Sequence, residues 1–210
     1  ANEGAKVLVA DVNVAGGEET VAEIDAAGGT ALFMHVNIAD QQQVDDMVAR
    51  AVSEWGRLDC AVNCAGVTGG KSAPTHAYPD DAWEQNVAVN LNGTWLCMKA
   101  ELTQMLWQGG GNIVNVASAA ALKGHPNNIG YCATKHAIVG MTKTAAIEYA
   151  TQNIRVNALC PSAIETPMLM DGRLNLRNNP ELRAKFTNDQ AMKRMGRPDE
   201  VADVALWLCS

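Results

Sequence analysis

Tyr131 and Lys135 are the residues whose types and spacing first suggest chemistry, at the start of the apolar run YCATKHAIVGMTK (residues 131–143). In a helix, residues four apart lie on one face, so both side chains can point into the same cleft. A phenol with its ordinary pKa near 10 is a poor base at neutral pH, but a nearby ammonium favours the phenolate and lowers that pKa. The spacing therefore predicts a general acid/base pair. Because such a match is common by chance, a pair of solvated side chains is the alternative.

Three other features agree with the acid/base interpretation. Ser118 closes the strand-like run NIVNVAS, which places its hydroxyl at the carboxyl edge of a sheet, where doubly wound folds bind ligands. The sequence NCAG (63–66) directly follows another strand-like run and predicts a glycine-containing turn at the same edge. Asn90, in VNLNGTW (89–95), lies inside a predicted helix although asparagine has a low helix propensity. Each feature is weak alone, but the ordered set is specific.

Short apolar runs alternate with stretches of helical period along the whole chain, which predicts a βαβα order. The strand-like runs are KVLVAD (6–11), ALFMHV (31–36), LDCAVN (58–63), NIVNVAS (112–118) and IRVNALC (154–160). They are nearly continuous apolar runs, as is typical of parallel strands that are covered on both faces. We expect an α/β fold with a doubly wound parallel sheet in a Rossmann-type three-layer sandwich, formed by residues 1–210 as a single domain.

Helices are predicted roughly at residues 14–27, 41–55, 80–107 and 131–149, with a last one opening near Pro198. Asp80 is the predicted N-cap of the third helix, and Gly28 and Gly56 stand where helices end. Residues 169–198 are polar and the least patterned part of the chain. We expect a mobile surface loop or lid there.

Composition excludes several classes of protein. The 210 residues carry a net charge of -7, which argues against a nucleic-acid partner, since such proteins concentrate Lys and Arg on one face. No apolar run is long enough to span a membrane, and the first residues lack a signal-type pattern, so we expect a cytoplasmic protein without a membrane partner. The six cysteines form no paired CxxC motif and the four histidines no cluster. We therefore expect small buried thiols and no metal site.

The ordered set of motifs resembles the short-chain dehydrogenase/reductase family over essentially the whole chain. NCAG stands where that family has Asn-Asn-Ala-Gly, Asn90 stands in its Asn-hydrophobe-x-Gly motif, and Ser118 precedes Tyr131 by the usual spacing. The resemblance implies that Tyr131 is the general acid/base, that Ser118 orients the substrate oxygen and that Lys135 holds the nicotinamide ribose. It implies that Asn90 supports a water-linked proton path. The implied reaction is hydride transfer between a nicotinamide cofactor and an alcohol or ketone.

The cofactor implied by the resemblance is NAD. Asp11 ends the strand KVLVAD, where a carboxylate accepts hydrogen bonds from the adenosine ribose and repels the 2'-phosphate of NADP. The next three residues include no arginine that would compensate. Asn37 stands where the family commonly has an aspartate beside the adenine, and its amide oxygen can still accept from the adenine. The other positions that the resemblance assigns to cofactor binding are Ile38, Asn63, Ala65, Gly66, Tyr131, Lys135, Pro161, Ile164 and Thr166.

The chain departs from the family pattern at both ends. The first strand with its glycine-rich turn is missing, which corresponds to roughly 25–30 residues of a βαβ unit, and the last strand is missing too. We therefore expect an internal fragment of a longer enzyme, in which two strands lose their shared neighbour and present bare edges. Without the backbone N–H groups that hold the pyrophosphate, we expect NAD to bind poorly. Ser162 stands where Pro-Gly is usual, so the turn after Pro161 is expected to differ slightly.

Two other functions compete with an alcohol dehydrogenase or ketoreductase. A non-catalytic binding or regulatory relative would keep the fold without turnover, but the intact set of Asn90, Ser118, Tyr131 and Lys135 opposes it. A serine hydrolase using Ser118 is remote, because no GxSxG elbow surrounds that residue. The resemblance also implies a homo-oligomer, a dimer or homotetramer, paired through the two long helices at 80–107 and 131–149. The identity of the alcohol or ketone substrate stays open.

Overall fold

A computed structural model describes all residues, 1–210, and shows strands alternating with helices, as predicted. The strands are β1 (Lys6–Asp11), β2 (Thr30–His35), β3 (Cys60–Asn63), β4 (Gly111–Val116) and β5 (Ile154–Leu159). The helices are α1 (Val14–Ala26), α2 (Gln41–Trp55), α3 (Asp80–Asn86), α4 (Thr94–Gln108), α5 (Ile129–Glu148), α6 (Pro167–Met170), α7 (Pro180–Asn188) and α8 (Pro198–Cys209). None of these helices is both long and apolar enough to cross a membrane.

All strand pairs are parallel, but they form two sheets. β1 pairs with β2 from Lys6↔Thr30 to Asp11↔His35, and β3, β4 and β5 pair in that order in a second sheet. Each of β1 and β3 thus has a strand neighbour on one side and a bare edge on the other. The parallel α/β architecture and the two unpaired strand edges were both predicted from the sequence.

The three-stranded sheet lies between two helical layers. Ala61 of β3 and Ile113 of β4 belong to one core cluster with residues of α4 and α5, whereas Asn112 points to the other face and donates to the Cys209 carbonyl of α8. Side chains alternate across a strand, so both faces are covered. Full burial of a large apolar side chain such as Ile113 contributes about 1.5–3 kcal/mol to folding. This core holds β4 and α5, the two elements that carry the predicted catalytic residues.

The predicted helix 80–107 is three segments. α3 ends at Asn86, residues Val87–Gly93 form a π-helical segment, and α4 begins at Thr94. A π-helical turn widens the backbone, and such turns are frequent at functional sites. The segment contains Asn90 and ends at Gly93, where a Cβ would lie 2.7 Å from the Ile38 side chain. The N-terminal prediction was one residue off, because Pro79 is the N-cap and Asp80 is the first helical residue.

Residues 169–198, predicted to be a mobile surface loop or lid, contain a helix and core contacts that the sequence did not indicate. The segment contains α7, whose N-cap Asn179 accepts a hydrogen bond from the Leu182 amide. It also supplies Met170, Leu176 and Met195 to a small hydrophobic cluster, and Leu176 is fully buried. The apolar residues are too widely spaced in sequence to show a period, yet the fold brings them together. The segment is therefore a packed unit beside the end of β5.

The prediction that the cysteines are buried was only partly right. Cys97 and Cys132 are buried, Cys160 and Cys209 are intermediate, and Cys60 and Cys64 are exposed. None of the six forms a disulfide. The exposed pair lies on β3 and in the turn that follows it, beside the unpaired strand edge.

Candidate active site

Tyr131 and Lys135 lie one turn apart in the first half of α5, where the helix passes the carboxyl end of β4. The Lys135 amine is buried and donates a 2.8 Å hydrogen bond to the Val116 carbonyl. The amine also lies 5.7 Å from the centre of the Tyr131 ring. The predicted pair therefore shares one cleft, and it is not a solvated surface pair.

Ser118 joins this pair from the sheet side. It follows β4 by two residues, and its hydroxyl accepts a 3.1 Å hydrogen bond from the Ala120 amide, which fixes the side chain at the start of a short 3₁₀ turn. The hydroxyl is close enough to that of Tyr131 to act on the pKa of the phenol. The fold thus brings Ser118, Tyr131 and Lys135 together from two elements.

The pKa of Tyr131 moves in the direction opposite to the sequence prediction. Burial raises the pKa of the phenol, and the contact with Ser118 only partly lowers it. Burial also lowers the pKa of Lys135 to about 8, against weaker opposing effects of Cys64 and Cys160. The removal of both groups from water outweighs the expected effect of the ammonium on the phenol. Lys135 is still mostly an ammonium at pH 7.

The Asn90 side chain links the π-helical segment to the turn that follows β3 through hydrogen bonds. Its side-chain oxygen accepts from the Val67 amide at 2.7 Å, and its nitrogen donates to the Val67 carbonyl at 2.8 Å. The same nitrogen contacts the Asn86 oxygen and the Thr134 hydroxyl of α5. Because Asn90 is fully buried, each of these bonds satisfies a group that water cannot reach. Asn90 therefore ties α5, the turn and the π-helical segment together.

Residues 63–67, which we name the NCAG turn, lie beside Asn90 and Lys135. A Cβ on Gly66 would lie 3.2 Å from the Asn90 oxygen and 3.4 Å from the Lys135 amine, so a larger residue would require these groups to shift by a few tenths of an ångström. Cys64 and Ala65 are exposed at the surface of the turn. The Asn63 side chain points away from that surface and donates to Glu101 of α4 and to Asn115 of β4.

Glu101 is a residue that our sequence analysis did not single out. It is 3% exposed, and burial raises the pKa of its carboxyl to about 7. A signal for it exists, because a lone glutamate stands among the core-facing residues Met98, Leu102 and Met105 of α4 at helical spacing.

The segment after β5 borders the same cleft. The Pro161 carbonyl accepts from the Ala119 amide at 2.8 Å, next to Ser118. Ile164 forms a parallel bridge with Gly196, and Thr166 caps α6. Ser162, the departure from the family pattern, is exposed. Because the resemblance places the reacting groups and the nicotinamide here, we name Ser118, Tyr131, Lys135, the NCAG turn and residues 161–166 the nicotinamide end of the site.

Asp11 is the last residue of β1, and Asn37 and Ile38 follow β2. Because the resemblance assigns these positions to the adenosine of the cofactor, we name them the adenosine end. The exposed Asp11 carboxylate accepts from the Asn13 amide at 2.9 Å and retains free acceptor positions. The Asn37 oxygen accepts from the Ala39 amide at 3.1 Å, so its amide nitrogen remains available. Ile38 packs against the cluster of Val44, Leu96 and Cys97, which anchors this end to α2 and α4.

The residues present fit the two ends of a nicotinamide dinucleotide. Acceptors for ribose hydroxyls lie at Asp11, and a buried amine lies beside the glycine of the NCAG turn. For the pyrophosphate, the chain offers no glycine-rich turn that opens a helix directly after a strand. No group of three or more His, Cys, Asp or Glu side chains is arranged to hold a metal ion.

Comparison with known proteins agrees with this geometry. The family described as enoyl-(acyl carrier protein) reductase matches residues 1–210. The chain is 38% identical to a short chain dehydrogenase/reductase of Aspergillus oryzae over 212 residues, covering 100% of this chain and 80% of that protein. It is 37% identical to the cyclohexanol dehydrogenase of an Acinetobacter species, with the same coverage. The crystal structure of NAD⁺-bound xylitol dehydrogenase superposes with a TM-score of 0.93 at 29% identity, covering 100% of this chain and 84% of that one.

The match extends over the whole chain, and the structure places Ser118, Tyr131 and Lys135 in one cleft, as the motifs require. The chain therefore belongs to the short-chain dehydrogenase/reductase family of nicotinamide-dependent oxidoreductases that act on CH–OH groups.

Proposed function

We propose that this protein transfers hydride between NAD and a small secondary alcohol or its ketone, with Tyr131 as the general acid/base. The main support for the proposal is that Ser118, Tyr131 and Lys135 lie together at the carboxyl end of β4. The related proteins whose names state a substrate include a cyclohexanol dehydrogenase and a xylitol dehydrogenase, and both compounds carry secondary hydroxyl groups.

The protein's own groups handle the proton and the geometry. The nicotinamide, when bound, accepts or supplies the hydride. The Ser118 hydroxyl, held by the Ala120 amide, binds the substrate oxygen and orients it toward Tyr131. The Tyr131 phenol then takes up or delivers the proton of that oxygen. Positioned by the Val116 carbonyl, the Lys135 ammonium can donate to ribose hydroxyls, and its charge acts against the rise in the pKa of Tyr131 that burial causes.

Asn90 has a structural role that supports this chemistry. Its bonds to Val67 hold the NCAG turn against Lys135. In the proposed proton path, a water held near this turn would connect Lys135 with solvent. The remaining proposed cofactor contacts are Asn63, Ala65 and Gly66 of the turn and Pro161, Ile164 and Thr166 after β5.

NAD is the proposed cofactor, in preference to NADP, because of Asp11. Its carboxylate is exposed and takes part in no salt bridge, so its negative charge is free to repel a 2'-phosphate. Its free acceptor positions can bind the ribose hydroxyls. Asn37 is proposed to contact the adenine and Ile38 to pack beside it.

We further propose that the protein self-associates through α4 and α5 as a dimer or tetramer. Trp95 and Trp107 of α4 and Ile147 of α5 are at least half exposed, and Trp107 and Ile147 are about four-fifths exposed. Large aromatic and aliphatic side chains on two adjacent helices are typical of an interface between subunits. Sedimentation of the protein beside a Trp107→Ser variant tests this assembly.

The test of the function combines binding with turnover. NAD and NADP are titrated calorimetrically, and NADH formation is then followed with a panel of cyclic and open-chain secondary alcohols. Weak binding of NAD, with oxidation of at least one alcohol at high NAD concentration, is the expected result, because the chain offers no glycine-rich turn for the pyrophosphate. Binding without turnover on any alcohol would favour the non-catalytic relative. Absence of binding would contradict the cofactor assignment for the 210-residue chain.

A further inference from the structure

Glu101 is a buried carboxyl group directly beneath the NCAG turn, and the proposed reaction does not use it. It lies on α4 near the apolar side chains of Met98 and Leu102 and is 3% exposed. Burying a carboxyl group is unfavourable unless it is hydrogen-bonded. The hydrogen bond that it makes is a 3.0 Å contact in which the Asn63 amide nitrogen donates to one carboxyl oxygen.

That contact is the first of a chain of buried hydrogen bonds. The Asn63 nitrogen also donates to the Asn115 oxygen at 2.9 Å, and the Asn115 nitrogen donates to the Thr142 hydroxyl at 2.9 Å. Asn115 and Thr142 are 0% and 4% exposed. The chain of bonds therefore joins α4, β3, β4 and α5. β4 leads to Ser118, and α5 carries Tyr131 and Lys135.

The NCAG turn is consequently held at both ends by buried side chains. Asn90 binds both backbone groups of Val67 at its far end, and Glu101 binds Asn63 at its near end. Between them, Gly66 faces the Lys135 amine, which would lie 3.4 Å from a Cβ at this position. We propose that Glu101 is a positioning residue that, through Asn63, holds the NCAG turn against Lys135 in the form that binds the cofactor. Its effect on cofactor binding rests on the function proposed above.

We call the two sets of hydrogen bonds, Asn90 with Val67 and Glu101 with Asn63, the clamp on the NCAG turn. Ionisation of Glu101 is expected to favour opening of the clamp, because the cost of burying the carboxylate outweighs the strengthening of its hydrogen bond from Asn63. The pKa of its carboxyl is raised to about 7 by burial, and the Asn63 bond lowers it only partly. The titratable neighbour is Cys97, one turn earlier on α4, whose thiol pKa is raised to about 12 by burial and then by Glu101. β3 and β4 present amides, Asn63 and Asn115, and no cation. A carboxylate formed above pH 7 would therefore be buried without a counter-ion.

Amide hydrogen exchange at Cys64–Val67 measures the clamp without any cofactor. Wild type, Glu101→Leu, Glu101→Gln and the exposed control Glu84→Gln on α3 are compared at pH 4.5 and pH 8.5. Glu101→Leu should exchange about 10-fold faster at this turn, since it removes the acceptor for the Asn63 side-chain amide. Opening of the turn would return the Glu101 carboxyl to its ordinary pKa of 4.5, so the effect of ionisation begins near that pH and is complete above about pH 7. Glu101→Gln keeps an acceptor and cannot ionise, so it should match wild type at pH 4.5 and exchange more slowly than wild type at pH 8.5. Glu84→Gln should equal wild type at both pH values, and β2 should be unchanged in all variants.

Equal exchange of wild type and Glu101→Gln at both pH values would overturn the role of ionisation, even if Glu101→Leu failed to fold. Wild-type exchange at this turn in a folded Glu101→Leu protein would overturn the clamp itself. NAD titration of the same proteins then tests the link to the cofactor. An NAD affinity about 10-fold lower in Glu101→Leu than in wild type would support this link. Equal NAD affinities of the two proteins would contradict it. If no variant bound NAD while exchange changed as expected, the proposed function would fail and the clamp would stand.

Discussion

The nicotinamide end and the adenosine end of the site are built in different ways. At the nicotinamide end, buried side chains bond to residues far along the chain, as Asn90 does to Val67 and Lys135 to Val116. At the adenosine end, Asp11 and Asn37 are exposed, and their side-chain bonds reach residues only two positions further on. The polar contacts of the nicotinamide end depend on the tertiary fold, whereas those of the adenosine end are made within local turns at the ends of β1 and β2.

This difference predicts how each end responds to substitution. A buried polar group that loses its partner costs about 1–3 kcal/mol, so substitutions at the nicotinamide end should change stability and chemistry together. An exposed group that bonds locally contributes little to folding, so substitutions at the adenosine end should change ligand affinity alone. The predictions below test this contrast, beginning with the largest expected effect.

Tyr131→Phe should lower turnover of an alcohol by about 10²–10⁴-fold, because it removes the group that exchanges the substrate proton and little else. NAD affinity should stay within about 3-fold of wild type, since the ring remains in place beside Lys135. The matched control is Tyr149→Phe at the end of α5, where the ring packs against the core. Steady-state kinetics gives the turnover of both variants, and calorimetry gives their NAD affinity. Undiminished turnover in Tyr131→Phe would show that Tyr131 is not the general acid/base.

Asn90→Ala and Asn37→Ala apply the same substitution to the two ends. Asn90→Ala leaves the amide and carbonyl of Val67 without their buried partner and should lower the free energy of unfolding by about 2–4 kcal/mol. Asn37→Ala removes one bond to an exposed amide and should cost about 0.5 kcal/mol. Urea unfolding measures both values. Similar losses of unfolding free energy in the two variants would contradict the proposed difference between the two ends of the site.

The residues found from the sequence are those that local rules position. Ser118 at a strand end and Tyr131 and Lys135 on one helix face follow from strand and helix periodicity, which depend on neighbouring residues. Glu101 and the π-helical segment around Asn90 have hydrogen-bond partners 38 and 23 residues away along the chain. A lone glutamate on the core-facing side of α4 makes Glu101 unusual in the sequence, but no local pattern reveals its partner or the π-helical segment. The packed segment 169–198 was missed for the same reason, because Leu176 is buried by contacts made only in the folded chain. The direction of the Tyr131 pKa shift was also missed, since burial is a tertiary property.

Lys135→Met should show the effect of a buried amine on stability as pH changes. The pKa of Lys135 falls from its ordinary 10.5 to about 8 in the folded chain, so folding disfavours the ammonium. The buried ammonium therefore lowers the free energy of unfolding. This effect is absent above pH 10.5, grows as the pH falls toward 8 and is complete below pH 8. The stability of wild type relative to Lys135→Met should therefore rise by about 2 kcal/mol between pH 7 and pH 10.

The control for this measurement is Lys143→Met, two turns further along α5, where the lysine is exposed. Its difference from wild type should stay constant within about 0.5 kcal/mol over the same pH range. Thermal unfolding at several pH values gives both differences. A pH-independent difference for Lys135→Met would show that its amine is solvated, and the nicotinamide end would then lose the buried charge that distinguishes it from the adenosine end.

Asp11→Ser should have the smallest effect on the fold and a selective effect on the cofactor. A serine can still accept the hydrogen bond of the Asn13 amide, so the free energy of unfolding should change by less than about 0.5 kcal/mol. NAD loses hydrogen bonds to a charged acceptor and should bind about 10-fold more weakly. NADP loses the repulsion of its 2'-phosphate by the carboxylate and should bind more tightly than to wild type. An unchanged ratio of the two affinities would place the adenosine ribose away from Asp11, whereas a large loss of stability would show that this end also depends on the tertiary fold.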